Sequence, residues 1–336
     1  MLYRRIRKSQ IFLRVFSIEK RKLLSTPVLF VVFCRPATTR IVFEAIRAAK
    51  PMRLYVAADG PRAHRLGEQE LCVEVRKIAT VVDWECEVRT LFREQNLGCR
   101  VAVSTALDWF FESEEEGIIL EDDCLPAQSF FPFCQDLLER YRYDHRVMVI
   151  SGDYFHGNAY QPANSYFFSR YNHCWGWASW QRAWQQYDRE MTRWPSVKNT
   201  NWLWQLGDGH KDFVDYWERI FDAAFAAKID SWAYRWTFSC WLQNGLTVLP
   251  SRNLVSNIGF SEDATHTRES NDTIGRLPLQ SLSFPLNHPP SVVRDKTADR
   301  WEDLNVFITK PPLYRRVLRG IPGLRWIVST VRRFAV

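Results

Sequence analysis

The sequence has no glycine-rich phosphate loop. Neither Gly-x-Gly-x-x-Gly nor Gly-x-x-x-x-Gly-Lys-Ser/Thr occurs, and residues 33 to 40 contain no glycine. Phosphates, if bound, are therefore not cradled by such a loop, and a cation held by side chains is the natural substitute. There is no Cys-x-x-Cys pair either. The eight cysteines, at positions 34, 72, 86, 99, 124, 134, 174 and 240, are dispersed, several in apolar segments. That pattern predicts reduced, small core residues and favours neither a zinc site nor a disulfide framework. No apolar run is long enough to span a bilayer, and Arg14 interrupts the N-terminal candidate from Ile11 to Ile18. No cleaved signal peptide is predicted, and the expected location is cytoplasmic. Nothing in the composition suggests disorder, and 336 residues are enough to bury a full α/β core.

Charge is concentrated at the two ends. Residues 1 to 22 hold eight Lys/Arg against Glu19, residues 310 to 336 hold seven with no acid, and the whole chain is only +7, so the body is net acidic. Such a chain is a poor nucleic-acid binder, while its basic, apolar-studded ends suit contact with anionic lipid at the inner face of a membrane. Near the C-terminus Leu313, Val317, Leu318, Ile321, Leu324, Ile327, Val328 and Val331 recur at roughly helical spacing beside arginines, and Gly320, Pro322 and Gly323 divide them into two short helices. A helix packed on the domain with its arginines in water is the equal alternative.

Pro27 to Cys34 reads as a strand covered on both faces, Thr38-Thr39 as a helix cap, and Ile41 to Ala49 as the helix, closed by Pro51. Strands over 53–58, 86–91, 118–120 and 147–150 alternate with helices over 63–80, 99–112 and 130–142. Strict alternation predicts right-handed crossovers and a mainly parallel sheet flanked by helices, a Rossmann-like α/β class. The stretch Gly117 to Leu125 then stands out, because the buried strand Ile118-Ile119-Leu120 runs straight into Glu121, Asp122 and Asp123. Carboxylates leave water at a cost of several kcal/mol, so these sit at a strand tip, exposed or bound to a hard cation. An acidic loop capping the next helix is the alternative. After residue 153 the texture changes: eleven of the 15 tryptophans lie from Trp175 to Trp241. Most are expected in the core, a few as flat walls for sugar rings. Four segments result: a basic extension 1–26, a Rossmann-like half 27–153, an aromatic-rich half 154–270 of the same domain, and a C-terminal extension 271–336 with basic amphipathic helices.

Taken in order, Phe33-Cys34-Arg35-Pro36, Ala58-Asp59-Gly60, Glu121-Asp122-Asp123, Cys174-Trp175-Gly176-Trp177 and Asn253 to Phe260 with Ala264-Thr265-His266-Thr267 resemble stations of a metal-dependent glycosyltransferase of the GT-A fold. The likeness is to the inverting N-acetylglucosaminyltransferase I type and its bacterial relatives, over about residues 27 to 268. It implies a nucleotide-sugar-binding first half and an acceptor-binding, catalytic second half with a Trp-rich acceptor side. The donor would be UDP-linked, UDP-GlcNAc being one candidate, and the acceptor a hydroxyl of a surface glycan or glycoprotein. Phe33, Arg35 and Asp59 would contact the nucleotide, with Gly176 and Trp177 in the same donor site. Asp123 would be the direct ligand of Mn²⁺ or Mg²⁺, with Glu121 and Asp122 beside it and His266 a second metal or diphosphate contact. Arg100 is a further candidate for the diphosphate.

One position departs from the family pattern. Where the relatives carry Trp-Asp-Tyr-x-Trp, with the aspartate as catalytic base, this chain reads Trp232-Ala233-Tyr234-Arg235-Trp236. General-base catalysis is commonly worth about 10² to 10⁴ in rate, so three explanations stand: an inactivated variant, a natural homologue without activity, or a substitute base in Asp230 or Asp153. A non-catalytic protein that binds a nucleotide-sugar or glycan is the competing function. A nucleotidyltransferase is less favoured, for want of a glycine-rich triphosphate loop.

Overall fold

The computed structural model describes residues 24–259 and 277–308. The first apolar run becomes β1 (Val28–Val32), and α1 (Pro36–Ala49), β2 (Arg53–Ala58), α2 (Glu68–Thr80), β3 (Glu87–Phe92), α3 (Gly98–Ser113) and β4 (Glu116–Glu121) follow in alternation. Next come β5 (Cys124–Pro126), α4 (Phe130–Tyr141), β6 (Val147–Ser151), β7 (Tyr166–Ser169) and β8 (Trp177–Trp180). Three short helices, α5 (Gln181–Trp184), α6 (Trp194–Val197) and α7 (Trp202–Leu206), lead to α8 (Lys211–Phe225) and α9 (Ala233–Leu242). The described chain ends with β9 (Leu246–Pro250), β10 (Val255–Asn257), α10 (Lys296–Glu302) and a π-helical turn, Asp303–Phe307.

Eight strands form one sheet in the order β3-β2-β1-β4-β8-β6-β9-β7. β1 is parallel to β2 and β4, and β2 to β3; β8 runs antiparallel between β4 and β6, β9 is parallel to β6, and β7 closes the far edge antiparallel. Six of the eight strands thus share a direction, and the sheet is mainly parallel, α/β and Rossmann-like, as expected. Both faces of the central strands are covered, which is why β1, β4 and β6 read as apolar runs, while the edge strand β3 is largely exposed. Val28, Phe30, Ile118 and Leu120 pack with Val42, Ile46, Val75 and Leu137 on one face, while Leu29, Tyr55 and Ile119 pack with Leu107, Phe110, Trp217 and Trp241 on the other.

Two helix starts move by several residues. Thr38 and Thr39 do not cap α1 from outside; the helix starts at Pro36, a residue suited to a first turn because it has no N–H to leave unpaired. Both hydroxyls instead donate back to the Arg35 carbonyl, at 3.2 and 2.7 Å. The helix expected from residue 63 begins at Glu68, after Gly67 in the left-handed region at φ 78°. The tryptophans are chiefly core, as expected: Trp177, Trp180, Trp194, Trp217, Trp236 and Trp241 are all under 2 % exposed.

The segment after 271 does more than extend the domain. Arg294 bridges to Phe168 of β7, and α10 is held against the same strand by buried charge. Arg170, 2 % exposed, donates to Asp303 and, at 2.7 Å, to the Leu206 carbonyl. Its guanidinium lies over the Phe213 ring, 4.2 Å from the centroid. Asp299, with no exposure, accepts from Ser169 Oγ at 2.5 Å and pairs with Arg294 Nε at 2.6 Å. The basic N-terminal stretch and the amphipathic stretch from Leu313 onward lie outside the described residues, as does His266. Among the described residues no helix is long and apolar enough to cross a membrane.

Removing one member of a buried ion pair strands the other, which typically costs about 3 to 5 kcal/mol. Arg170→Met is therefore expected to lower the urea midpoint by that equivalent at unchanged slope, measured on the full chain.

Candidate active site

The parallel strands deliver their C-terminal ends to one edge. Val32 pairs with Ala58 and Val31 with Glu121, so the residues following β1, β2 and β4 emerge side by side. They open into a cleft of about 820 Å³ whose lining includes Phe33, Arg35, Asp59, Glu121, Asp122 and Asp123. Ligands of open α/β sheets bind beyond such strand ends.

At the floor, Arg35 joins two carboxylates. Nη1 donates to Asp123 Oδ2 at 2.8 Å and Nη2 to Asp122 Oδ1 at 2.5 Å, while the Phe33 amide donates to Asp122 Oδ2 at 3.0 Å. Asp122 is 2 % exposed with both oxygens engaged, whereas among the described residues Asp123 Oδ1 meets only the Cys124 thiol, at 3.4 Å. β10, paired with β5, closes over this group: the Ile258 amide donates to the Asp123 carbonyl at 2.7 Å. A Cβ at Gly259 would lie 2.4 Å from Asp123 Oδ2 and 2.8 Å from Arg35 Nη1, so only glycine lets the backbone approach so closely. Three neighbouring carboxylates face one guanidinium. Burial first, and then the adjacent acids, hold Glu121 above the usual carboxylate range. Burial raises Asp122 as well, with Arg35 opposing it. Among the described residues no group of three or more His, Cys, Asp or Glu side chains is arranged to hold a metal.

Asp59 organises the rim. Its carboxylate accepts from the amides of Leu97 (3.0 Å) and Gly98 (3.2 Å) at the start of α3, from Gly60 (2.9 Å) and from Asn96 Nδ2 (2.9 Å). Burial raises its pKa against these donors. Three of the residues expected here are elsewhere. Arg100 is not among the lining residues; its side chain lies 3.6 Å from Glu190 and 4.0 Å from Asp230. Gly176 serves packing: at φ +78°, a Cβ there would lie 2.7 Å from Val255. Trp177 is a core residue of β8, stacked on Trp232 with centroids 5.6 Å apart.

Ala233 does line the cleft, as the first residue of α9. Asp230 and Asp153 line it too. Asp230 is about half exposed and accepts from the Arg100 amide at 3.3 Å. Asp153 is wholly buried: Oδ2 accepts from the Trp175 amide at 3.1 Å, Oδ1 has no hydrogen-bond partner among the described residues, and burial pushes the carboxyl up to about 8. Sequence reasoning missed Arg62, Arg93, His173 and Phe307, all in the lining. His173 directly precedes Cys174-Trp175-Gly176-Trp177, a signal that was there to be read. Phe307 arrives from a segment remote in the chain and carries no local signal.

No protein-family model matches the chain, and no curated protein matches it. Among solved structures it is similar to HddC from Yersinia pseudotuberculosis, at 8 % identity and a TM-score of 0.28 over 47 % of this chain and 77 % of that one. It is also similar to the apo form of mouse xyloside xylosyltransferase 1, at 9 % identity and a TM-score of 0.31 over 64 % of this chain and 80 % of that one. Likeness at this level adds nothing to what the chain's own geometry says about the site.

Asp153 keeps its proton to about pH 8 when folded and releases it near 3.9 when unfolded. The folded state thus binds the extra proton between those values, and stability falls as pH rises through that window. Asp153→Asn is expected to flatten this slope and to gain on the parent progressively toward pH 8, read from urea midpoints of both proteins across a pH series.

Proposed function

We propose that the chain is a glycosyltransferase that moves a sugar, with inversion, from a nucleotide-sugar to a hydroxyl of a glycan or glycoprotein. A UDP-linked donor is preferred, UDP-GlcNAc among the candidates. The observation that carries this reading is the Arg35-Asp122-Asp123 group, with Glu121 beside it, on the floor of a cleft at the carboxyl ends of parallel strands. A cleft of about 820 Å³ is within the range of small-molecule sites.

The residues do not form an all-protein metal cage, but they suit Mn²⁺ or Mg²⁺ in the manner of substrate-linked sites, where one or two carboxylates, water and phosphate oxygens share the ion. Asp123 would hold it through Oδ1, its oxygen free of Arg35. When bound, the ion neutralises charge developing on the departing diphosphate. Asp122, locked by Arg35 and the Phe33 amide, keeps the floor rigid. Asp59, oriented by the Leu97 and Gly98 amides, stands at the rim to meet base or ribose. Arg62 and Arg93 add positive charge to the cleft, although Arg62 is also paired with Glu68. Tyr234 and Phe307, backed by the buried rings of Tyr171 and Trp217, give the second half of the lining flat apolar faces suited to sugar rings. Ala233 in the lining favours a second reading, a protein that binds the nucleotide-sugar without transferring it.

A thermal-shift panel of UDP-GlcNAc, UDP-glucose and GDP-mannose, with Mn²⁺ or with chelator, tests the common ground. A ligand at about 100 times its Kd stabilises the folded form by about 2.7 kcal/mol. At least one donor is expected to raise the melting point with Mn²⁺ and to lose most of that effect in Asp123→Ala. Equal shifts in chelator would reject the metal role, and no shift with any donor would reject the reading itself.

A further inference from the structure

Sugar transfer to a hydroxyl releases a proton, and Ala233 has nothing to accept it. We propose that His173, oriented by Glu302, takes the acceptor's proton; this rests on the sugar-transfer reading above. The other acids of the cleft suit the task less well. Asp153 already holds a proton at neutral pH. Asp230 is bound to the start of α3, and Glu121 belongs to the acidic group beside Arg35.

His173 belongs to the aromatic part of the lining. Its ring centroid lies 4.3 Å from that of Phe155, and it stacks with Tyr171 and Phe307 at interplanar angles of 14° and 8°. Nε2 lies 3.0 Å from Glu302 Oε2, and Glu302 is 1 % exposed. An ionised carboxylate only accepts, so Nε2 carries the proton and Nδ1 of the neutral ring presents its lone pair. A buried carboxylate on one imidazole nitrogen fixes tautomer and orientation and stabilises the imidazolium that forms, as in the Ser-His-Asp arrangement.

The inner end of this chain of groups is short of one proton. His156 Nε2 lies 3.1 Å from the Ala298 carbonyl, which can only accept, so that nitrogen is the protonated one. His156 Nδ1 then turns a lone pair toward Glu302 Oε1 at 3.6 Å, and neither atom has a hydrogen-bond partner among the described residues. Two buried acceptors facing each other are costly until a proton enters between them. His156, Glu302 and His173 together therefore have room for the proton that the reaction liberates.

In the step, the acceptor O–H bond breaks and its proton passes to His173 Nδ1. The oxygen's electron pair forms the bond to the anomeric carbon, and the bond from that carbon to the phosphate oxygen breaks, its pair leaving on the nucleoside diphosphate. Burial pulls the pKa of His173 down, but the carboxylates of Glu302 and then Asp299 outweigh it and the net direction is up, while burial lowers that of His156.

The test uses the full chain with Mn²⁺, following UDP release from UDP-GlcNAc, UDP-glucose and UDP-galactose against pH, and UDP binding by calorimetry. The rate is expected to climb along a limb centred above the ordinary histidine value of about 6.5. That limb should move with temperature, as imidazole ionisation does and carboxyl ionisation does not. His173→Gln should lower turnover by about 10²- to 10⁴-fold with UDP affinity unchanged. Glu302→Gln, which keeps the shape but not the charge, should shift the limb to lower pH. If His173→Gln does not fold, the Glu302→Gln profile and the temperature dependence of the parent decide. Parental turnover in His173→Gln, a temperature-insensitive limb, or a gain of turnover confined to Ala233→Asp would overturn the role of His173 while leaving nucleotide binding intact. UDP binding without turnover by the parent also overturns it and favours the non-catalytic reading. Failure to bind UDP at all removes the sugar-transfer reading on which it stands.

Discussion

A single guanidinium bridging two carboxylates is the constraint on which the site depends. Asp122 and Asp123 follow a buried strand directly, so they inherit its depth, and acids at that depth need neutralising. Arg35, one turn beyond the neighbouring strand and at the start of α1, supplies part of that charge. The pairing ties the ends of β1 and β4 together, yet burial first, and then the adjacent acids, hold Glu121 up, and burial raises Asp122 with Arg35 opposing it. Under the proposed function it is this uncompensated acidity that would receive a cation, and the cation a diphosphate.

The other side of the cleft depends on a second buried charge system. Arg170, Asp299, Asp303 and Arg294 fasten α10 and its π-helical turn to β7. Docking this segment brings Glu302 to His173 and Phe307 into the lining. The two systems build different walls: one, on the early strands, gathers the polar groups that the proposed function assigns to the leaving diphosphate, and the other builds an aromatic wall with a histidine in it. Gly259 shows how closely the halves meet, since a methyl group there would collide with Asp123.

Much of the fold and part of the site were legible from residue order. Alternating apolar runs and helical spacing predicted β1 to β4 with their helices because parallel strands covered on both faces leave a continuous signature. The acidic triplet, Arg35 and Asp59 could be placed at strand tips by the same logic, since a tip is the one place where a buried run can turn polar. Arg100, Gly176 and Trp177 were misplaced for one reason: nearness in sequence to a site says nothing about which way a side chain faces. α3 turns Arg100 toward Glu190, and β8 turns Trp177 into the core.

What the chain by itself determined, then, was its local periodicity, its α/β class and the acids at the end of β4. The tertiary structure alone decided that Asp122 is locked while Asp123 keeps one oxygen clear of Arg35, that His173 meets a glutamate 129 positions away, and that Phe307 faces the cleft. The reason is physical. Periodicity and turn chemistry act over a few residues and are written locally, whereas an ion pair or hydrogen bond between distant segments exists only after the core has packed and set the distances between them.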